Sequence, residues 1–122
     1  MDNMFQGYAH PLARQARLNS GGETNEDIEF GPVPTGRMWV ITNLCMVDET
    51  TLVTEVRVFL KGFGENHYLL ESESLGADDF FSSSAKIYVP EGKSIVFRFV
   101  GSTSGDKLAA FVNGFEVEQP GL

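Results

Sequence analysis

A chain of 122 residues and 13.4 kDa is the length of one domain. Its composition, 42% hydrophobic and 21% charged, is that of a globular chain rather than a disordered one. Seventeen acids against nine bases, a formal charge of −8 and a pI near 4.6 argue against nucleic acid as the main partner, because phosphate binding needs a basic face. One cysteine gives neither a disulfide framework nor a cysteine zinc cage. No run approaches the roughly 20 apolar residues of a membrane span, and the first twenty residues lack the apolar core of a secretory signal.

Residues 1–27 differ in texture from the rest and are expected to form an N-terminal arm, extended or partly helical, ahead of a domain spanning 28–122. The segment Pro11–Leu18 offers two helical turns with proline at the start, marginal in isolation at that length. Asn19-Ser20-Gly21-Gly22 reads as a turn, followed by the acidic bridge Glu23–Asp27. Phe5, Tyr8, Leu12 and Leu18 are large apolar residues in what would otherwise be a solvated tail, so the arm is expected to order against a partner. With Arg14 and Arg17 they make the candidate partner-binding set. Residues 1–20 carry a net charge of about +1, which leaves −9 on the remainder, so a slightly basic arm precedes an acidic body.

From Ile28 onward the pattern is that of strands. Arg37–Leu44 is β-branched and aromatic, and its inward parity is open, since a one-residue slip exchanges the faces. In Val53–Leu60, Val56, Val58 and Leu60 alternate with Glu55, Arg57 and Phe59. Short strands are expected at 67–70 and 85–89, a longer one at 94–100 with Ile95, Phe97 and Phe99 on one face, and a last one at 108–117. Asn113-Gly114 within it reads as a turn or a bulge. Phe80-Phe81 reads as a loop anchor or strand start. The expected core is Trp39, Ile41, Val56, Val58, Leu60, Leu69, Ile87, Val89, Ile95, Phe97, Phe99, Phe111 and Val117. About seven or eight antiparallel strands, divided by Gly, Pro, Ser and Asp clusters, predict an all-β sandwich or barrel.

An internal echo sharpens this. Val33-Pro34-Thr35-Gly36-Arg37 and Val89-Pro90-Glu91-Gly92-Lys93 repeat Val-Pro-x-Gly and a base at an offset of 56 residues, each ahead of an apolar strand. With Pro second and Gly fourth, each copy suits a type I turn. Equivalent turns half a chain apart suggest two matching Greek-key halves, as in an eight-stranded jelly roll. This pattern, the closing Gly105–Leu108 and Val112–Val117 segments and the arm resemble small jelly-roll proteins of tailed-phage virions, the capsid decoration (cement) proteins and fibre modules. The resemblance covers residues 28–118 at the level of architecture. It implies a structural, non-enzymatic virion protein, assembled in the host cytoplasm, that associates with the major capsid protein or other virion subunits and with itself as a homotrimer.

Residues with chemical potential point to ordinary structural roles. Pro90-Glu91-Gly92 resembles the turn of a cupin metal motif, but no histidine follows it, and His10 and His67 stand alone, so a cupin-type enzyme is disfavoured. His67 reads as a surface or capping residue. The serines at 82–84 and in Gly101–Gly105 lack a nucleophile elbow, and Gly101–Gly105 reads as a hairpin loop. Asp48-Glu49 and the group Glu71, Glu73, Asp78 and Asp79 read as solvated acidic loops rather than a calcium or glycosidase site. Cys45 reads as a small buried residue, and Trp39 as a core or interface anchor. The sequence therefore assigns no catalytic residue, no metal and no cofactor, and no membrane or nucleic-acid partner. The main alternative is a carbohydrate- or receptor-binding module of a tail fibre, with exposed aromatics stacking on sugar.

Overall fold

The computed structural model describes residues 9–62, 64–76 and 79–118, with backbone alone at Glu73 and Ser74. Nine strands follow one another: β1 (Ala9–Asn19), β2 (Asn25–Phe30), β3 (Arg37–Asp48), β4 (Val53–Lys61), β5 (His67–Leu75), β6 (Phe81–Ser83), β7 (Ile87–Val89), β8 (Ser94–Val100) and β9 (Lys107–Glu118). There is no helix among the described residues. The first sheet runs β1-β9-β3 and ends in β6 and β7, which both pair with β3; the second runs β2-β8-β4-β5. All pairings are antiparallel. β6 lies against Leu44–Met46 and β7 against Trp39–Ile41, so the two are pieces of one interrupted strand position. Apart from the β4–β5 hairpin and this interruption, successive strands alternate between sheets. That is the wiring of a jelly roll, and the all-β sandwich read from the sequence is the observed fold.

The facing sides of the two sheets supply the core. Phe97, Phe99, Ile95, Val56 and Val58 come from the second sheet, and Ile41, Leu44, Met46, Leu108 and Val112 from the first, all essentially inaccessible to solvent. Phe30 meets Phe97 edge to face at 5.7 Å between ring centroids. Three expected core residues lie elsewhere. Leu69 is the extra residue of a bulge between the Val58↔Leu70 and Phe59↔Tyr68 pairs and is exposed. Phe111 and Val117 stand on the outward face of β9, because Leu108, Ala110 and Val112 take the inward parity.

The segment 9–27 is not an arm ahead of the sandwich. β1 pairs along its whole length with β9, Leu12 is buried in the core, and Ala16 and Leu18 pack against it. A boundary at residue 27 would cut β2 in the middle. Eight residues are too few for a stable helix, whereas Leu12, Ala16 and Leu18 share a period of two and β9 takes up the N–H and C=O groups of every second residue of β1. Of the expected arm, residues 1–8 lie outside the described residues.

The two Val-Pro-x-Gly copies lie side by side. Val33 N–H donates to the Lys93 carbonyl at 2.9 Å, and Gly92 N–H donates to the Val33 carbonyl at 2.8 Å. Each turn begins at the proline rather than one residue earlier. Arg37 N–H reaches Pro34 O and Lys93 N–H reaches Pro90 O, so Gly36 (φ 79°) and Gly92 (φ 77°) occupy the third position, where a type II turn requires positive φ. The Gly101–Gly105 stretch joins β8 in the second sheet to β9 in the first, and is a crossing between sheets rather than a hairpin.

One irregularity governs β3. Its register against β9 shifts between Ile41 and Asn43, opposite Asn113 and Gly114. Asn113-Gly114 is therefore part of a continuous strand facing a bulge. A Cβ on Gly114 would collide with the Val40 carbonyl. Gly114→Ala is expected to lower stability in urea unfolding by about 1–3 kcal/mol, the usual penalty for overpacking. Gly36→Ala meets no neighbouring atom within 4 Å, so its effect should be confined to the strained turn backbone.

Candidate interaction face

The outward sides of the two sheets differ in chemistry. On the second sheet they are charged and internally paired. Arg98 forms a two-pronged contact with Asp27, with both distances 2.9 Å. Arg57 does the same with Glu55 at 2.7 and 2.9 Å and approaches Glu71 at 3.7 Å. Lys61 meets Glu29 at 3.1 Å. Arg98 lies 4.9 Å above the Phe59 ring and Arg57 5.4 Å from the Tyr68 ring, so their stems and guanidinium planes cover the apolar residues beneath them. Hydrogen bonding to Arg57 holds the Glu55 carboxyl below the usual carboxylate range. Asp27 raises the pKa of Arg98 in the same way. These cations already have carboxylate partners within the chain.

The outward side of the first sheet is largely apolar, with Asn43 and Asn113 paired between its two ends. The register places Pro11, Phe115, Val40 and Tyr88 in one row across β1, β9, β3 and β7. Tyr88 is 52% exposed and Phe115 48%. The adjoining row is Ala9, Val117 and Met38. Toward the other end of the sheet, Cys45, Val47, Phe80 and Phe111 border an open depression of about 440 Å³. A second depression of about 380 Å³ adjoins it, sharing Cys45 and Phe111 and bounded by the serines at 82–84. Phe80 is 64% exposed, and the rim carries the Arg17–Glu49 ion pair at 2.9 Å. Single exposed apolar residues are unremarkable, but a contiguous row of them on one sheet marks a surface suited to contact.

The six candidate partner-binding residues do not form one patch. Phe5 and Tyr8 lie outside the described residues. Leu12 is core and Leu18 packs against the core. Arg14 shares the inward parity of Leu12 but sits at the open edge, 5.5 Å from the Trp39 ring. Of the four that are described, Arg17 is the one on the outward side, at the rim of the depression. The residues that do form the face, Val40, Tyr88, Phe115 and Phe80, were missed in the sequence as a group. Tyr88 was legible, flanked as it is by the inward Ile87 and Val89. Phe115 was not, since its strand is apolar on both parities.

The other chemically suggestive residues take structural positions. Trp39 is buried in the core and offers no sugar-stacking platform. His10 lies 3.8 Å from Glu118, and His67 begins β5. Among the described residues, no three metal-ligating side chains come together. Asp48, expected in a solvated loop, is instead the buried end of β3. Burial pushes the Cys45 thiol above its ordinary pKa. Cys45 is therefore expected to react slowly with a thiol-specific disulfide reagent at neutral pH. Its rate should rise with pH and rise sharply in urea, and fast stoichiometric labelling of the folded protein at neutral pH would contradict this assignment.

No protein-family model matches the chain, and no curated protein matches it in sequence. Similarity appears in the fold, that of a jelly-roll sandwich. A chain of the acid-stable capsid structure of Helicobacter pylori bacteriophage KHP30 matches at a TM-score of 0.53 and 15% identity, over 90% of this chain and 98% of that one. The coat protein of tobacco streak virus, in its dimer structure, matches at 0.48 and 10% identity over 95% and 90% of the two chains. The Drosophila NLP core, described with pentamer formation and histone binding, matches at 0.48 and 11% identity over 91% and 100%. The resemblance to virion proteins is thus one of architecture.

Proposed function

We propose that this chain is a structural virion protein that decorates a phage shell, a cement protein whose contact surface is the outward face of the first sheet. The observation that carries the reading is the row Pro11–Phe115–Val40–Tyr88, exposed at Pro11, Phe115 and Tyr88 and half-buried at Val40, set on the sheet opposite the paired charges. Support comes from the phage capsid chain that the sandwich matches along nearly the whole of that chain's length. The partner in this reading is the major capsid protein or another virion subunit. In this reading Phe5 and Tyr8, which precede β1 in sequence, also belong to the contact. Self-association as a homotrimer belongs to the same reading. So do a location in the virion, assembly in the host cytoplasm and the lack of enzymatic activity.

Aromatic residues buried at the centre of an interface commonly account for about 2 kcal/mol or more each on truncation. The double variant Tyr88→Ser with Phe115→Ser is therefore expected to bind particles stripped of decoration at least about tenfold more weakly, with its melting temperature nearly unchanged because both residues are half exposed. Glu29→Gln on the opposite sheet should bind like the wild type. Equal binding by the aromatic double variant would remove the first sheet as the contact surface. A glycan array read with the same pair tests the sugar-binding alternative: aromatic-dependent glycan binding without particle binding would replace the cement reading. Deleting residues 1–8 should weaken particle binding and leave folding intact, whereas a deletion extending through β1 removes an edge strand and Leu12 from the core and is expected to unfold the domain.

A further inference from the structure

At the end of the sandwich remote from the twin proline turns, two aspartates from different connections are buried together. Asp48 closes β3 and Asp106 precedes β9; each is 1% exposed. One oxygen of Asp48 accepts the backbone N–H groups of Thr50 and Thr51 at 2.9 and 3.1 Å. Its other oxygen is buried with no donor to serve it. Asp106 accepts the Thr51 hydroxyl at 2.5 Å and the Thr103 N–H at 3.0 Å, so the two carboxyls converge on Thr51, one on its backbone N–H and the other on its hydroxyl.

The groups facing the pair from every side are neutral or already engaged. From the β1–β2 connection comes Ser20, whose hydroxyl bonds Ser102 at 2.8 Å and whose backbone bonds Asp106 and Gly105. From the β3–β4 connection come the two threonines and Glu49, which is paired with Arg17 of β1. From β9 comes Lys107, whose backbone N–H donates to the Thr50 hydroxyl at 3.0 Å and whose carbonyl accepts from Glu49 N–H. No base is paired with either aspartate among the described residues. Two buried carboxylates that converge on one threonine, with an unserved oxygen and no basic side chain paired to either among the described residues, form an arrangement that a single proton completes.

We propose that Asp48 and Asp106 share one proton, carried by Asp48 and donated to Asp106, and that this proton closes the clasp joining the β1–β2, β3–β4 and β8–β9 connections. The device is independent of what the apolar face binds. Directions of titration agree with it. Burial, followed by the bond to Asp106, pushes Asp48 above its ordinary value against the two backbone donors. Burial also opposes ionisation of Asp106, but the bonds from Asp48, Thr51 and the Thr103 N–H outweigh it and hold Asp106 below its ordinary value. As a coupled pair they lose one proton below the usual aspartate range and the second above it. Between the two steps the folded state holds one proton. As pH rises above the unfolded aspartate value, the folded state binds more protons than the unfolded one, so stability falls until the raised Asp48 value is passed. As pH falls below the unfolded value, the depressed Asp106 makes stability fall in the other direction.

The test is thermal melting across pH of wild type and Asp48→Asn, together with infrared spectra of the wild type. Asparagine keeps the acceptor for Thr50 and Thr51 and supplies a permanent N–H toward Asp106. Expected is a wild-type melting temperature that declines by several degrees as pH rises from just above the ordinary carboxylate range toward neutrality, and a variant whose curve is flat over that interval and lies above the wild type at neutral pH. The infrared spectrum of the wild type should show a protonated carboxyl C=O band above the pH at which exposed carboxylates are ionised, and Asp48→Asn should remove it. A variant that melts lower than wild type by the same margin at every pH, or absence of the band, overturns the proposal. So does calcium raising the wild-type melting temperature at neutral pH but not that of the variant, which would make a cation the occupant.

Discussion

The bulge in β3 is the constraint on which the rest of the sandwich depends. Strands present alternate residues to opposite faces, so an unbroken β3 would bury either Trp39 and Ile41 or Leu44 and Met46, but not both pairs. The extra residue between Ile41 and Asn43 resets the parity, and all four face the core. β9 stays regular opposite it, and Gly114 is the residue that lets the two backbones approach. Because β9 is regular, Leu108, Ala110 and Val112 all point inward, and Phe111, Phe115 and Val117 are left outside. The apolar exterior is therefore a consequence of how the interior was filled.

Much of the architecture was legible before any coordinates. Alternation in Val53–Leu60 and Ser94–Val100 gave the inner face of the second sheet residue by residue, because charged residues mark the other parity there. The first sheet was harder. Its strands are apolar on both sides, so parity had to come from pairing and from the bulge, neither of which a single sequence displays. The same ambiguity hid β1: proline followed by Leu12, Ala16 and Leu18 fits one face of a short helix as well as an edge strand, and β9 decides between them. The paired Val-Pro-x-Gly segments announced two equivalent halves, although their contact with each other, and the shift of each turn by one residue, needed the fold. Asp48 and Asp106 are 58 positions apart, beside ordinary loop residues, and nothing local signals that they meet.

The two outer surfaces resolve opposite problems. On the second sheet, Arg57 and Arg98 face each other across β4 and β8, an unfavourable arrangement for like charges. Each is neutralised by its own carboxylate and spread over an aromatic ring, which also removes that surface from competition for partners. On the first sheet no such covering lies over Tyr88 and Phe115 among the described residues. A net charge of −8 opposes nonspecific association of the chain with itself, while Tyr88 and Phe115 leave the first sheet partly apolar.

The pairing of Ala9 with Val117 brings the two ends of the sandwich's chain onto adjacent strands. Both stand beside Met38, at the end of the first sheet that carries the exposed aromatic row and far from the aspartate clasp. A polypeptide fused at either side would leave from that same corner and compete with anything docked there. The opposite rim is formed, among the described residues, by internal connections, and is the place for inserted cargo. A short linker could join the two ends without crossing the core, which makes the sandwich suited to circular permutation through the Lys61–His67 connection.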